Sequence, residues 1–201
     1  MRHTLGCFAT ILCVCLGAPL EVSADVIDFE SLADSQSVTN QFVGLTFLNT
    51  VALSAGIGLN EFEFPPRSGI NVVLDDGGAI SISFASAVAG VGGYFTYLTP
   101  VTLAAYDSSN QLLGSVSSAF SSNVALSGDG GSSPNEFLQL LGSEISSVTI
   151  SGDPQGFSFT LDDLTVKPAR DTVPEPAILS LVLMGGAGIA RRASTRRKSL
   201  G

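Results

Sequence analysis

Residues 79–84 read Ala79-Ile80-Ser81-Ile82-Ser83-Phe84, a strict alternation of apolar and polar side chains. Successive residues of a β-strand face opposite sides of the sheet, so this period of two predicts a strand with one buried face. The same alternation recurs at 101–106, 147–150 and 157–161, with clusters of Asp, Gly, Asn and Ser between the segments. Such clusters are typical of turns, and only residues 136–141 favour a short helical stripe. The pattern predicts an all-β, antiparallel sandwich.

The N-terminus has the features of a secretory signal. Arg2 precedes a mostly apolar run over residues 5–20, and Val22-Ser23-Ala24 offers the small residues that signal peptidase reads. We therefore predict a signal peptide over 1–24, cleaved between Ala24 and Asp25. An uncleaved anchor is the alternative, although Pro19 and Glu21 interrupt the apolar run. The three cysteines and the single histidine lie in this segment, so the mature chain has neither residue type.

The mature chain is strongly acidic. Between residues 25 and 171 it has sixteen acidic side chains against three basic ones, a formal net charge near −13. This charge disfavours nucleic acid and anionic lipid surfaces as partners. It suits a soluble surface protein or one that binds cations, and an acidic shell that keeps the protein soluble is the simpler explanation.

The C-terminus combines three features in a fixed order. Pro174-Glu175-Pro176 is followed by an apolar run at 177–190 and then by five cations: Arg191, Arg192, Arg196, Arg197 and Lys198. The run of fourteen residues would rise about 21 Å as a helix, less than the roughly 30 Å hydrocarbon core of a bilayer. The cations should hold the end of the chain in the cytoplasm. An ordinary single-pass tail anchor is one interpretation.

The same order resembles the PEP-CTERM sorting signal of exported bacterial proteins. In this resemblance residues 168–172 are a linker, and the signal covers 173–198: the motif Val173-Pro174-Glu175-Pro176, a transmembrane helix at 177–190 and a basic tail at 191–198. It implies recognition by exosortase and removal of the tail near the motif. It also implies transient contact with the inner membrane of a Gram-negative-type bacterium, then delivery to the cell surface or extracellular matrix.

The body, residues 25–167, carries a second resemblance. Its segments at 26–32, 42–47, 92–95, 101–107, 112–115 and 157–166 resemble β-sandwich domains of PEP-CTERM proteins. These are similar in turn to jelly-roll modules of the galactose-binding and carbohydrate-binding type. The resemblance implies one jelly-roll-like sandwich with its first and last strands close together.

Modules of this type often hold a structural calcium ion between an early acidic residue and an aspartate of the final strand. The resemblance therefore implies Ca²⁺ at Glu30 with Asp162 or Asp163. Because neighbours in a strand point in opposite directions, only one of the two aspartates should face such a site. The alternative interpretation makes these aspartates caps and leaves Glu30 facing solvent.

The body lacks the residues of the common catalytic sites. Without histidine or cysteine it cannot form a Ser-His-Asp triad, a cysteine nucleophile or a histidine zinc site. Paired carboxylates could still hydrolyse glycosidic bonds. The candidates are numerous, and no pair stands out: Asp28, Glu30, Asp75, Asp76, Asp162 and Asp163. The Asp75–Gly78 segment is predicted as a hairpin loop.

The aromatic residues are compatible with carbohydrate binding but do not by themselves establish it. The chain has no tryptophan, so Tyr94, Phe95, Tyr97 and Tyr106 are the rings available for a sugar-binding surface. Tyr94 and Phe95 should face opposite sides of one strand, and a core position is the more common role of any single ring. We therefore expect a non-catalytic structural or adhesive protein that binds polysaccharide. A secreted glycan hydrolase is the alternative.

Overall fold

The computed structural model describes residues 23–169. The apolar part of the predicted signal peptide, the Pro174-Glu175-Pro176 motif, the segment 177–190 and the basic tail lie outside this range. Among the described residues no helix has the length and apolar character that crossing a membrane requires.

Nine β-strands form the body, and residues 23–169 contain no helix. The strands are β1 Asp25–Ile27, β2 Leu45–Leu48, β3 Thr50–Ser54, β4 Asn71–Asp75, β5 Ile80–Tyr97, β6 Thr102–Tyr106, β7 Leu112–Ser117, β8 Glu136–Ser151 and β9 Phe159–Pro168. Every pair of these strands is antiparallel. The predicted all-β, antiparallel class is confirmed.

Two long strands, β5 and β8, run through both halves of the sheet. The strand order is β3-β4-β9-β5-β8-β6-β7, with β1 added to β9 and β2 added to β5. The register shifts between Ser83 and Gly90 mark a bend in β5. Before the bend β5 lies between β2 and the end of β8, and after it between β9 and the start of β8.

The two halves of the sheet share one core. Phe47 and Ile82 come from the first half, Phe95, Phe159 and Leu161 from the second, and all belong to a single buried cluster. Each large apolar side chain removed from water contributes roughly 1.5–3 kcal/mol to the stability of the fold. The first strand, β1, is hydrogen-bonded to the last strand, β9, with Asp25 opposite Val166. This confirms the prediction that the first and last strands lie close together.

The predicted helical stripe at 136–141 is wrong. These residues begin β8, where Leu138 and Leu140 point into the core. Phe137 and Leu141 lie on the opposite face and are 44% and 64% exposed. Apolar residues on both faces hide the period of two, which is why the segment does not look like a strand.

The predicted hairpin at Asp75–Gly78 is also wrong. The turn joins β4 to β5, but β4 pairs with β3 and β9, so the turn connects strands that are not neighbours. The carboxylate of Asp75 is fully buried and accepts hydrogen bonds from Ser158 N, Ser158 Oγ and Phe159 N at 2.8–3.0 Å. These bonds fix the turn to the start of β9, a long-range role that local turn residues do not reveal.

The segment between β3 and β4, residues 55–70, crosses the sheet face that points away from the core. We call this the outer face and the segment the β3–β4 loop. Asn135 Nδ2 donates to Pro65 O at 3.0 Å, and Ala125 N donates to Glu63 O at 2.9 Å. Beneath this cover Thr96 is fully buried although it lies opposite the core. The loop leaves one part of the outer face open.

Candidate functional site

The open part of the outer face carries an aromatic pair. Tyr94 in β5 lies directly opposite Phe137 in β8, and their ring centroids are 5.0 Å apart with planes tilted by 47°. Phe137 is 44% exposed and Tyr94 is partly exposed. The alternation of β5, β8 and β9 brings four more side chains to the same open area: Gln139, Leu141, Thr165 and Lys167. We call this surface, together with Arg67 at its border, the aromatic face.

Two glycines of β5 let these side chains lie against the strand. A Cβ atom at Gly92 would meet Leu138 O at 2.8 Å and Phe137 Cζ at 3.1 Å. At Gly90 a Cβ atom would meet Leu141 Cδ2 at 2.7 Å. Any side chain at either position would therefore displace a neighbour. The glycines give the aromatic face a flat base beside the Tyr94 ring.

Arg67 borders the pair from the β3–β4 loop. Its guanidinium carbon lies 4.7 Å from the centroid of the Tyr94 ring, within the range of a cation–π contact. The backbone beneath it is fixed, since Asp162 Oδ2 accepts from Arg67 N at 2.7 Å and from Ser68 N at 3.0 Å. Asp162 thus positions the border of the face from the neighbouring strand β9.

The same loop segment is held from the other side by Glu30. Its Oε1 atom accepts hydrogen bonds from Ile70 N at 3.0 Å and Asn71 N at 2.8 Å. Gly69 lies between the residues bonded to Asp162 and those bonded to Glu30. It has a φ of 53°, and a Cβ atom there would lie 2.2 Å from Glu30 Cδ. Both the backbone angle and the close approach require glycine.

Asp162 is a buried carboxylate, 1% exposed. Burial raises the pKa of Asp162 from 3.8 to about 6, and the nearby charge of Asp163 acts in the same direction. Hydrogen bonds from the N–H groups of Ser68, Asp163 and Arg67 oppose the increase. The pKa of the carboxyl that holds the loop is therefore about 6.

The expected alternation of Asp162 and Asp163 fails at a β-bulge. Tyr94 pairs with Asp162 and Gly92 pairs with Thr165, so two residues of β9 oppose one of β5. Asp163 has a φ of 46°, and its Oδ1 accepts from Ser68 Oγ at 2.7 Å. Both aspartates contact Ser68, so the alternation on which the one-aspartate prediction rested is absent at this point of β9.

The three residues of the calcium hypothesis all contact residues 67–71. Glu30 and Asp162 accept from backbone N–H groups there, and Asp163 accepts from the Ser68 hydroxyl. Within residues 23–169 no group of three or more His, Cys, Asp or Glu side chains could hold a metal ion. Calcium binding stays a prediction.

The other carboxylates proposed for hydrolysis lie elsewhere. Asp75 is buried beneath the start of β9, and Asp28 Oδ1 accepts from Glu30 N at 3.2 Å. Asp76 is exposed in the turn after β4. Asp28 and Asp75, like Glu30 and Asp162, therefore accept backbone N–H groups within the fold.

The aromatic candidates divide between the core and the surface. Phe95 and Tyr97 are buried in the core, whereas Tyr94 faces outward, which confirms that Tyr94 and Phe95 point to opposite sides. Burial and a hydrogen bond to Glu136 raise the pKa of Tyr97 to about 12. Tyr106 is partly exposed in β6. The sequence interpretation missed Phe137 because of the false helical stripe, and nothing local distinguishes Arg67 or Lys167.

The sequence matches no protein-family model and no curated protein. Among solved structures, the chain is similar to TmCBM61 in complex with β-1,4-galactotriose, with 11% identity and a TM-score of 0.40 over 71% of this chain and 94% of that one. It is also similar to the K1 cleaved adhesin domain of Lys-gingipain from Porphyromonas gingivalis W83, with 10% identity and a TM-score of 0.45 over 73% and 99%. A third is the CBM22-1 xylan-binding domain of Xyn10C from Paenibacillus barcinonensis, with 12% identity and a TM-score of 0.39 over 76% and 99%. These scores are too low to carry a conclusion about ligand or activity.

Proposed function

We propose that the body binds polysaccharide through the aromatic face without catalysis, as a structural or adhesive protein. The observation that carries the proposal is the solvent-facing Tyr94–Phe137 pair on its glycine base. An aromatic ring offers a flat apolar surface to the C–H face of a sugar, and amide and hydroxyl groups can bond its hydroxyls. Gln139 and Thr165 supply such groups beside the pair.

The roles of the carboxylates support binding over hydrolysis. A glycosidase needs two acids on either side of the scissile bond, about 5–10 Å apart. The carboxylate of Asp162, next to the aromatic pair, is buried, and both of its oxygens accept backbone N–H groups. Glu30 is likewise bonded to the loop. These groups organise the border of the face.

The test measures binding of residues 25–169 to a panel of soluble and insoluble polysaccharides. This fragment contains all nine strands and every residue of the core cluster. We expect Tyr94→Ala and Phe137→Ala to abolish binding without lowering the melting temperature by more than a few degrees. Phe157→Ala is the matched control, because Phe157 is an aromatic residue 60% exposed beside the Asp75 turn.

Two outcomes would contradict the proposal. If no polysaccharide binds, or if Phe157→Ala weakens binding as much as Phe137→Ala, the aromatic face is not the binding surface. The same samples should release no reducing ends over hours of incubation. Release of reducing ends that Asp163→Asn abolishes would favour the hydrolase instead.

We also propose that the chain is exported, with signal peptidase acting between Ala24 and Asp25, and then sorted by exosortase. The order of motif, apolar run and basic residues at 173–198 supports this. Deleting residues 173–201 should release the body or leave it in the periplasm, and blots of cell fractions would show which. If the intact chain stays in the membrane with its tail uncut, the segment is an ordinary single-pass tail anchor instead.

A further inference from the structure

The only two basic side chains between residues 23 and 169 both border the aromatic face. They are Arg67 and Lys167, in a stretch that otherwise carries fifteen acidic side chains. Arg67 lies over the Tyr94 ring from the loop side. Lys167 lies opposite Gly90 in β9, and its Cβ would be 3.4 Å from a Cβ built on Gly90.

The two cations approach β5 at different positions, Lys167 beside Gly90 and Arg67 over Tyr94. Gly90 and Tyr94 are four residues apart in β5, which corresponds to about 13 Å at roughly 3.3 Å per residue. Gln139 and Thr165 lie between these positions, on either side of Gly92, and Phe137 lies beside Tyr94. The arrangement is an elongated strip with a positive charge near each end and an apolar and polar middle.

Neither cation is in an ion pair, within 4.0 Å, with a carboxylate of residues 23–169. The nearest acid in the hydrogen-bond network, Asp162, bonds to the backbone of Arg67 and is buried. Asp163 bonds to the Ser68 hydroxyl. The guanidinium and ammonium groups are therefore available to a ligand in the part of the chain that the structure describes.

We infer that the ligand is an anionic polysaccharide, whose acidic groups meet Arg67 and Lys167 while its sugar rings contact Tyr94 and Phe137. This inference rests on the proposed polysaccharide binding and names its ligand class. The remaining acidic surface repels densely charged polyanions such as nucleic acids. Two separated cations suit a chain with one acidic group per sugar or fewer. The Debye length is only about 8 Å at physiological salt, so salt screens the repulsion from the more distant acidic residues. Contacts with Arg67 and Lys167 then outweigh that repulsion.

The experiment uses residues 25–169, because the five cations at 191–198 would bind anionic chains themselves. Polygalacturonate and its fully methyl-esterified form share one sugar backbone, and esterification replaces each carboxylate with an uncharged methyl ester. We expect the charged form to bind at least tenfold more tightly, which corresponds to about one charge-assisted hydrogen bond. Binding of the charged form should weaken as NaCl rises from 50 to 500 mM. Dextran sulfate beside plain dextran shows whether sulfate can replace carboxylate.

Three variants locate the effect. Lys167→Gln and Arg67→Gln should each weaken binding of the charged form about tenfold and weaken binding of the esterified form by a clearly smaller factor. Arg67→Gln keeps the backbone N–H that Asp162 holds, so the loop stays in place. Gln111→Glu is the matched control, because it changes the net charge by the same one unit on the exposed turn before β7.

The outcomes separate this inference from the proposed function. Equal binding of charged and esterified chains overturns the inference and leaves polysaccharide binding standing. A loss in Gln111→Glu as large as that in Lys167→Gln also overturns it, since bulk charge would then explain the result. If no polysaccharide binds at all, both proposals fail. A preference for either charged chain that Lys167→Gln removes and Lys167→Arg retains supports the inference.

Discussion

The body should become more stable as the pH falls from 7.5 to 5, and Asp162 should be a main cause. Burial raises the pKa of this carboxyl to about 6, against 3.8 ordinarily. Below pH 6 the folded protein therefore binds a proton that the unfolded chain binds only near pH 3.8. The resulting stabilisation is complete below the unfolded value and is lost as the pH rises through the folded value.

The size of the effect follows from the two pKa values. Their difference of about two units corresponds to roughly 3 kcal/mol across the full window. Between pH 7.5 and 5 the expected gain in the free energy of unfolding is about 1 kcal/mol from this site. Burial also raises the pKa of Asp75, which adds in the same direction.

Two partly exposed carboxylates, Asp34 and Glu63, change stability in the opposite direction, but at lower pH. The N–H groups of Ser54 and Leu126 lower the pKa values of Asp34 and Glu63 from their ordinary 3.8 and 4.5. Their stabilisation is present above those ordinary values and is lost as the pH falls through the lowered ones. Between pH 7.5 and 5, above those ordinary values, these two groups therefore contribute little to the slope.

Urea unfolding followed by circular dichroism at several pH values between 5 and 7.5 would measure the slope. Asp162→Asn cannot titrate, so its stability should depend less on pH by about 1 kcal/mol over this window. Asp76→Asn, a change at an exposed aspartate, should keep the wild-type slope. The reasoning is refuted if wild-type stability is flat or falls on acidification, or if Asp162→Asn keeps the full slope.

Three further predictions concern the carboxylates that hold the loops. Asp75→Ala should lower the free energy of unfolding by about 3 kcal/mol or more, because three buried donors lose their acceptor; a urea titration showing under 1 kcal/mol would contradict this. Gly69→Ala should cost at least 1 kcal/mol through its positive φ and the contact with Glu30, and Glu30→Ala should relieve part of that loss in a double-mutant cycle. If Glu30 with Asp162 or Asp163 binds Ca²⁺, the melting temperature should rise by several degrees at ~100 times the dissociation constant. Identical melting curves with calcium and with chelator would exclude the site.

Strands with one apolar and one polar face could be predicted from the sequence. Strands with apolar residues on both faces could not. Ile80 and Ile82 alternate cleanly with Ser81 and Ser83, and β5 begins at Ile80. At the start of β8 the outer face carries Phe137 and Leu141, so apolar residues occur at both parities and mimic a helix. The side chains that spoil the strand pattern are those that build the candidate site.

The length of β5 was equally hidden, for a related reason. The sequence suggests separate short strands around 79–84 and 92–95, but β5 runs through both over eighteen residues. The exposed residues Ala85, Ser86 and Ala87 mark the bend and carry no apolar period. Bulges of this kind interrupt the alternation while the chain continues in the sheet.

The border of the site depends on a contact that no local pattern contains. Arg67 lies in a loop without period, and its backbone is fixed by Asp162, which is 95 residues away in sequence. The sequence does mark Asp162 and Glu30 as unusual, because the family resemblance links an early acid to the last strand. It attributes that link to an ion, whereas in the structure the same carboxylates bind the N–H groups of residues 67–71. Whether calcium binds there or not, these carboxylates hold the loop that carries Arg67 over Tyr94, so their substitution should alter ligand binding as well as stability.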